Sequence, residues 1–278
     1  HFIFMPGVPF EMQQLIKDVI LPELKDQFIH SHHIHKNIAT QGLPESYLAD
    51  KLKNWQDNLP DNTTLAFLPA PGMIYLRLTA IGNDPEILEQ ILDEHIKKLK
   101  KIIPDHLVHV GDETLEELIG AYLASRGQTL SIAESCTGGN ISARIISVPG
   151  SSKYFKGSVI AYTNAVKQKV LGVTSSALTN HGSVSQKVVE EMAVGILDLY
   201  QSDFAVAVSG IAGPAGGTES KPVGLTWIAV ANQDRIISRK YLLGTVRSVN
   251  IQKATNTALN LLREIILMGS VEKNDKIV

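Results

Sequence analysis

TLSIAESCTGG, residues 129–139, is the stretch that decides how this chain is built. Residues 129–133 read as a short buried strand. Gly138 and Gly139 then open a helical pattern in which Ile141, Ile145 and Ile146 share one face. Between strand and helix sits a polar group of four: Glu134, Ser135, Cys136 and Thr137. A strand that turns sharply into a helix lifts a side chain onto the rim of the sheet. It also aims the unpaired N–H groups of the helix start at whatever binds there. The glycines let a ligand approach the backbone. This is a place for a nucleophile, an anion or both, although an ordinary turn with a Ser/Thr cap produces the same local pattern.

Outward from this turn the pattern alternates. Residues 112–125 predict a helix capped by Asp112 and closed by Gly127. After the turn come a strand at 158–162, a short helix at 164–171 and a helix capped by Ser185 that carries Val188, Val189, Met192, Ile196 and Leu197. A strand at 204–209 leads into the Gly-rich loop 210–217. Strands at 224–231 and 236–243 read as an antiparallel pair, and a last helix runs over 247–268 with a polar, loose tail behind it. The result is an α/β domain over residues 112–270, a mixed sheet covered by helices, with 271–278 as tail.

Upstream, residues 30–111 predict a small α+β unit in the order βαββαβ. A strand at 35–42 precedes a helix carrying Tyr47, Leu48, Leu52 and Trp55. Paired strands at 64–68 and 73–80 follow. A long helix over 84–103 places Ile87, Leu88, Ile91, Leu92, His95, Ile96 and Leu99 inward, and a strand at 107–110 closes the unit. Residues 1–29 stand apart. An apolar strand at 1–5, a Pro-Gly-Val-Pro turn and a helix with Met12, Leu15, Ile16 and Val19 cannot bury themselves. Together with the missing initiator methionine, they suggest the remnant of a domain upstream.

Composition narrows the function. The 278 residues suggest two domains, and a net charge of −2 argues against a dedicated nucleic-acid binder. No run is long enough to span a membrane. The single cysteine, Cys136, forms no disulfide within one chain and suits a reducing, cytoplasmic setting. His30, His32, His33 and His35 crowd together, but nothing nearby completes a metal site, and a solvated strand edge or linker explains them. Lys97, Lys98, Lys100 and Lys101 gather at a helix C-terminus, where the dipole favours positive charge.

The loops at 134–139, 162–167 and 209–217 each leave a strand end, and α/β sheets collect ligands there. If they share one edge, Ser135, Tyr162, Lys167 and Ser209 face one pocket. A neutral lysine activates a serine hydroxyl without histidine, provided that burial or nearby positive charge lowers its pKa. By spacing alone, Lys167 is equally a surface helix lysine. His181 is the one histidine in this domain, lacks an evident acid partner and reads as a turn residue. Cys136 is the alternative nucleophile. Neighbours on a turn point apart, so only one of Ser135 and Cys136 faces the pocket. Arg247, near the start of the last helix, suits either a phosphate grip or a plain surface position.

AESCTGG (133–139), Tyr162-Thr163-Asn164 through Lys167, HGSVS (181–185), SGIAGPAGGTESKPVGLTW (209–227) and RSVNIQKATNTALNLLR (247–263) together resemble the C-terminal domain of the CinA family. MPGVPFEM (5–12) resembles the end of that family's molybdopterin-binding-like domain, and residues 34–111 resemble its KH-like domain. The resemblance implies a nicotinamide-nucleotide amidohydrolase that needs no metal or cofactor. It implies Ser135 as nucleophile, Lys167 as general base and Tyr162 as the lysine's partner hydroxyl. Thr137, Gly138, Gly139, Asn164, Ser209, Gly210 and Arg247 are implied as substrate contacts, with Arg247 on the phosphate and N–H groups near Thr137 and Gly138 around the oxyanion. Ser209 stands where threonine is usual, and LLGTV (242–246) departs from the family's form. A homodimer is implied too. The alternative is a nucleotide-binding or interaction protein that kept the fold without catalysis, acting in competence or damage responses.

Overall fold

The computed structural model describes residues 2–28 and 31–274. They divide into two units. One takes in residues up to Leu68 with Tyr75–Gly111, the other Pro69–Ile74 with everything from Asp112 onward.

The first unit opens with α1 (Pro9–Leu15), one turn of π-helix at Ile16–Ile20 and α2 (Leu21–Phe28). Phe2–Met5 form no strand: no described strand pairs with them, and Phe2 and Phe4 are almost fully exposed. Met12, Leu15 and Ile16 are half-buried and Val19 is exposed. Next come β1 (His32–Thr40), α3 (Glu45–Asp57), β2 (Thr63–Ala70), β3 (Met73–Gly82), α4 (Pro85–Ile102) and β4 (Leu107–Val110), the expected βαββαβ order. The sheet runs β2-β3-β1-β4, with β1 and β4 antiparallel and Ile38 opposite Val110. His32, His33 and His35 lie on the exposed first half of β1; His30 falls outside the described residues. Asp84 caps α4 through the N–H groups of Glu86 and Ile87.

Leu48, Leu52 and Trp55 of α3 meet Leu88, Leu92, Ile96 and Leu99 of α4 in the buried set. Each recurs at three or four residues, one helical stripe apiece. Tyr47 and Ile87, expected inside, sit one residue off those stripes, about 100° around the helix, and are exposed.

The second unit begins with α5 (Leu115–Ser125). Its cap is Thr114, not Asp112. The Thr114 hydroxyl accepts from Glu117 N, and the Glu117 carboxylate accepts from Thr114 N, a capping box. Then follow β5 (Leu130–Glu134), α6 (Asn140–Ser147), a 3₁₀ turn at Ser151–Lys153, β6 (Phe155–Ile160), α7 (Asn164–Leu171), α8 (Ser175–His181), α9 (Gln186–Tyr200), β7 (Phe204–Gly210), β8 (Leu225–Ala231), β9 (Ile236–Leu242) and α10 (Arg247–Asn274). Several details differ from expectation. β6 lies about two to three residues earlier, so Ala161 and Tyr162 fall in the loop behind it. His181 ends a helix instead of sitting in a turn. Ile146 is exposed, and α10 continues past Gly269.

The sheet order is β6-β5-β7-β8-β9. β5 is parallel to β6 and β7, while β8 is antiparallel to both of its neighbours, β7 and β9. Parallel pairing puts the C-terminal ends of β6, β5 and β7 on one edge. The chain winds from β5 to β6 on one side and returns to β7 on the other, which makes the β5/β7 boundary a switch point of the kind that opens a crevice. Pleating assigns the side chains of β5 to two layers. The Ser131 hydroxyl donates to Ile196 O of α9, and Ala133 packs with Leu171, Val188, Val189 and Met192. Glu134 points the other way, toward α6.

Candidate active site

The turn after β5 is held by Glu134. Its buried carboxylate accepts from Gly139 N (3.0 Å), Ile141 N (3.2 Å), Ser142 N (2.9 Å) and Ser142 Oγ (2.6 Å). An anion at a helix start is favoured by the dipole and by the unpaired N–H groups. Here the protein's own side chain fills that place. Gly138 and Gly139 take φ of +61° and +99°, and a Cβ on Gly139 would come within 3.2 Å of Ile160 Cδ1. Left-handed φ at two successive residues favours glycine at both. This corrects one expectation. The N–H groups of Gly139, Ile141 and Ser142 serve Glu134, and Gly138 N donates to Ser135 O at 3.1 Å. They do not face a ligand.

Continuing the pleat, Ser135 lies on the layer of Ala133, toward α7. Lys167, in the second turn of α7, is 1% exposed. Its Nζ donates to Ala161 O at 2.6 Å and lies 3.0 Å from Ser135 Oγ. Among the described residues no carboxylate pairs with it. Burial pushes its pKa below the ordinary lysine value, since the ammonium loses water and gains no counter-charge. Thr163, the cap of α7, and Gly172, which ends it, fix the helix that carries this amine. Serine and lysine, read as two loops that had to converge, stand in hydrogen-bond contact.

Cys136 packs against Gly210. It is buried, its thiol is pushed up to about 12 by burial, and a Cβ on Gly210 would come within 2.9 Å of its Sγ. A thiol so protonated and so packed is not a nucleophile at neutral pH. Gly210 thus makes room for Cys136 and for Thr226, whose Oγ1 would lie 2.7 Å from that Cβ.

The N–H groups of the turn can be assigned in sequence. Ser135 N donates to Val208 O, Gly138 N to Ser135 O and Asn140 N to Thr137 O. Cys136 N and Thr137 N have no acceptor among the described residues, and the Thr137 hydroxyl is buried without a partner. The N–H groups of this turn without a backbone acceptor are therefore at 136 and 137, one residue earlier than expected.

Two expected contacts are spent elsewhere. Ser209, 1% exposed, donates its hydroxyl to Ser183 O at 2.7 Å, so it ties β7 to the loop before α9 instead of presenting a donor to a ligand. Tyr162 is exposed, and its hydroxyl accepts from Arg247 Nη2 at 3.3 Å. It is not bonded to Lys167, because the loop behind β6 carries its ring outward while the backbone carbonyl of Ala161 takes the lysine. Arg247, first residue of α10, also donates to Gly213 O at 2.8 Å, and so bridges the β6–α7 and β7–β8 loops. Asn164 is exposed at the start of α7.

The profile of the CinA C-terminal domain matches residues 112–266, more than half of the chain. The chain belongs to the CinA family. The KH domain of damage-inducible protein CinA matches residues 35–108. A CinA-like protein of Flavobacterium psychrophilum is 41% identical over 267 residues, 96% of this chain and 64% of the relative. One from Cytophaga hutchinsonii is 38% identical over 94% of this chain and 63% of its own length. The chain thus spans a little under two thirds of these relatives. A solved competence/damage-inducible protein from Agrobacterium tumefaciens superposes with a TM-score of 0.53 at 36% identity, over 54% of this chain and 92% of its own.

Within this CinA domain, sequence reasoning overlooked three residues. Besides Glu134, these are Lys221, whose Nζ donates to His181 O at 2.5 Å and Val184 O at 2.8 Å, and Asn250, whose Nδ2 bridges Ala212 O and Gly244 O at 3.0 Å each. With Ser209 they fasten the Gly-rich loop to the HGSVS segment and to α10. Lys221 and Asn250 bond to backbone carbonyls 6 to 40 residues away, which no local pattern encodes.

Proposed function

We propose that this chain is a serine amidase that hydrolyses the carboxamide of nicotinamide mononucleotide, giving nicotinic acid mononucleotide and ammonia. The observation that carries this reading is the buried, carboxylate-free amine of Lys167 at 3.0 Å from Ser135 Oγ. Burial favours the uncharged amine, and an uncharged amine can take the serine proton, which an ammonium cannot.

Ser135 Oγ attacks the carboxamide carbon, made electrophilic by the pyridinium ring, while its proton moves to Lys167 Nζ. The carbonyl oxygen gains charge next to Cys136 N–H and Thr137 N–H, donors fixed in place before the reaction begins. The C–N bond breaks as Lys167 returns the proton to nitrogen, and ammonia leaves an acyl-serine. Water, deprotonated by the same amine, releases the acid. Ala161 O holds Nζ throughout. The substrate phosphate is assigned to Arg247, which offers a fork of donors at the loop edge. Tyr162 acts by steadying that guanidinium.

The test is ammonia release from the mononucleotide by the purified chain. Ser135→Ala is expected to lower turnover roughly a thousandfold or more with the fold intact. Nicotinamide riboside, which lacks the phosphate, is expected to react with a KM raised roughly tenfold or more, the loss of a charge-assisted contact. An inactive wild type with bound nucleotide would favour a binding protein without catalysis.

A further inference from the structure

The first unit carries a cleft that the amidase reading does not use. It lies between α3 and α4, encloses about 430 Å³, and is floored by Trp55, His95 and Ile102. Lys51 of α3 and Lys98 and Lys101 of α4 line it as well, all exposed on the surface, and no carboxylate is among the lining residues. The helical repeat explains the grouping. Trp55 stands four residues after Lys51, and Lys98 and Lys101 follow His95 at successive steps of three, so each helix turns one apolar-to-basic row to the cleft.

Lysines at a helix C-terminus are unremarkable, because the dipole favours them. The floor is different. His95 is only 9% exposed, and its Nδ1 is buried without a hydrogen-bond partner among the described residues. Trp55 meets the imidazole edge to face at 6.3 Å between ring centroids, and its indole N–H donates to His95 O at 3.2 Å. The ring is thus held in place, with its Nδ1 shut away from solvent. Burial, followed by the charge of Lys98, lowers the His95 pKa and so favours the uncharged imidazole. The volume suits a small molecule, and aromatic walls with a few polar groups are how such sites are built.

We propose that this cleft binds a small ligand made of a flat ring bearing a phosphate, the chemistry of a mononucleotide. The ring lies over the floor formed by Trp55, His95 and Ile102. The phosphate is held by Lys51, Lys98 and Lys101. The net charge of −2 favours this over a nucleic-acid strand.

The probe is adenosine 5′-monophosphate, titrated into the full chain carrying Trp227→Phe, which leaves Trp55 as the sole tryptophan. A saturable change in emission is expected, at least tenfold weaker with adenosine alone and with inorganic phosphate alone. The exposed pair Lys98→Glu/Lys101→Glu is expected to weaken it tenfold or more while the chain still unfolds in one cooperative transition, at a slightly lower temperature. The absence of a saturable response, adenosine binding as well as its phosphate, or a response untouched by the charge reversal would each overturn the proposal. So would a single-stranded oligonucleotide that binds with a steep salt dependence while the monophosphate does not.

Discussion

Lys167→Met tests the chemistry and the electrostatics in one variant. Methionine keeps an unbranched chain of similar length in a slot that is 1% exposed, and removes the amine. Two contacts go: the hydrogen bond to Ala161 O at 2.6 Å and the approach to Ser135 Oγ at 3.0 Å. An unpaired buried carbonyl costs about 1–3 kcal/mol. Against this, wild type buries a group whose pKa is depressed below the ordinary 10.5. Between the depressed value and 10.5 the unfolded chain holds more protons than the folded one, so wild-type stability rises with pH across that window. Below the window the full penalty applies. One proton sets a slope of at most about 1.4 kcal/mol per pH unit. The variant lacks that rise, so its stability relative to wild type falls as pH increases. Urea unfolding of both proteins from pH 7 to 10 measures this difference, and titrations common to both cancel. For activity, loss of the base is expected to lower kcat/KM by roughly 10²–10⁴. In wild type the ascending limb of kcat/KM against pH is expected to lie below the ordinary lysine pKa, because only the neutral amine reacts. Parallel stability curves together with less than a tenfold loss of activity would refute the reasoning.

Cys136→Ala should leave ammonia release within about threefold of wild type while costing about 1–2 kcal/mol of stability, the usual size for trimming a small buried group; loss of turnover in a variant that unfolds normally would return the nucleophile's role to the thiol. Glu134→Gln replaces a carboxylate that accepts four hydrogen bonds with an amide that brings donors of its own. A loss of about 2–4 kcal/mol in urea unfolding is expected, from charge-assisted bonds and unpaired N–H groups, and a change under about 0.5 kcal/mol would mean that the turn does not depend on that cap.

The secondary structure of the second unit was largely legible because its signals are local. α7 coincides with its predicted bounds, held between a threonine cap and a left-handed glycine. β7 with the Gly-rich loop behind it stood out for the same reason. Errors fell where an alternative of equal local merit existed. Thr114 displaced Asp112 as a cap because Glu117 lies three residues on and completes the box. Ile146 and Ile87 show that an apolar residue beside a stripe is easily read as part of it.

The sequence by itself determined the order of elements, the sharp turn at 134–139 and the residue types that converge on it, since caps, glycines and hydrophobic period act within a few residues. Only the tertiary structure decided what those residues do. Lys167 has the local pattern of a surface lysine and is buried because α7 packs against α9. Ser135 faces it, and Cys136 does not, because the pleat alternates side chains between two layers. The hydroxyls of Ser209 and Tyr162 are turned to Ser183 O and Arg247 by contacts 26 and 85 residues away. The direction of a side chain and the charge it can keep depend on what the whole fold stacks around it.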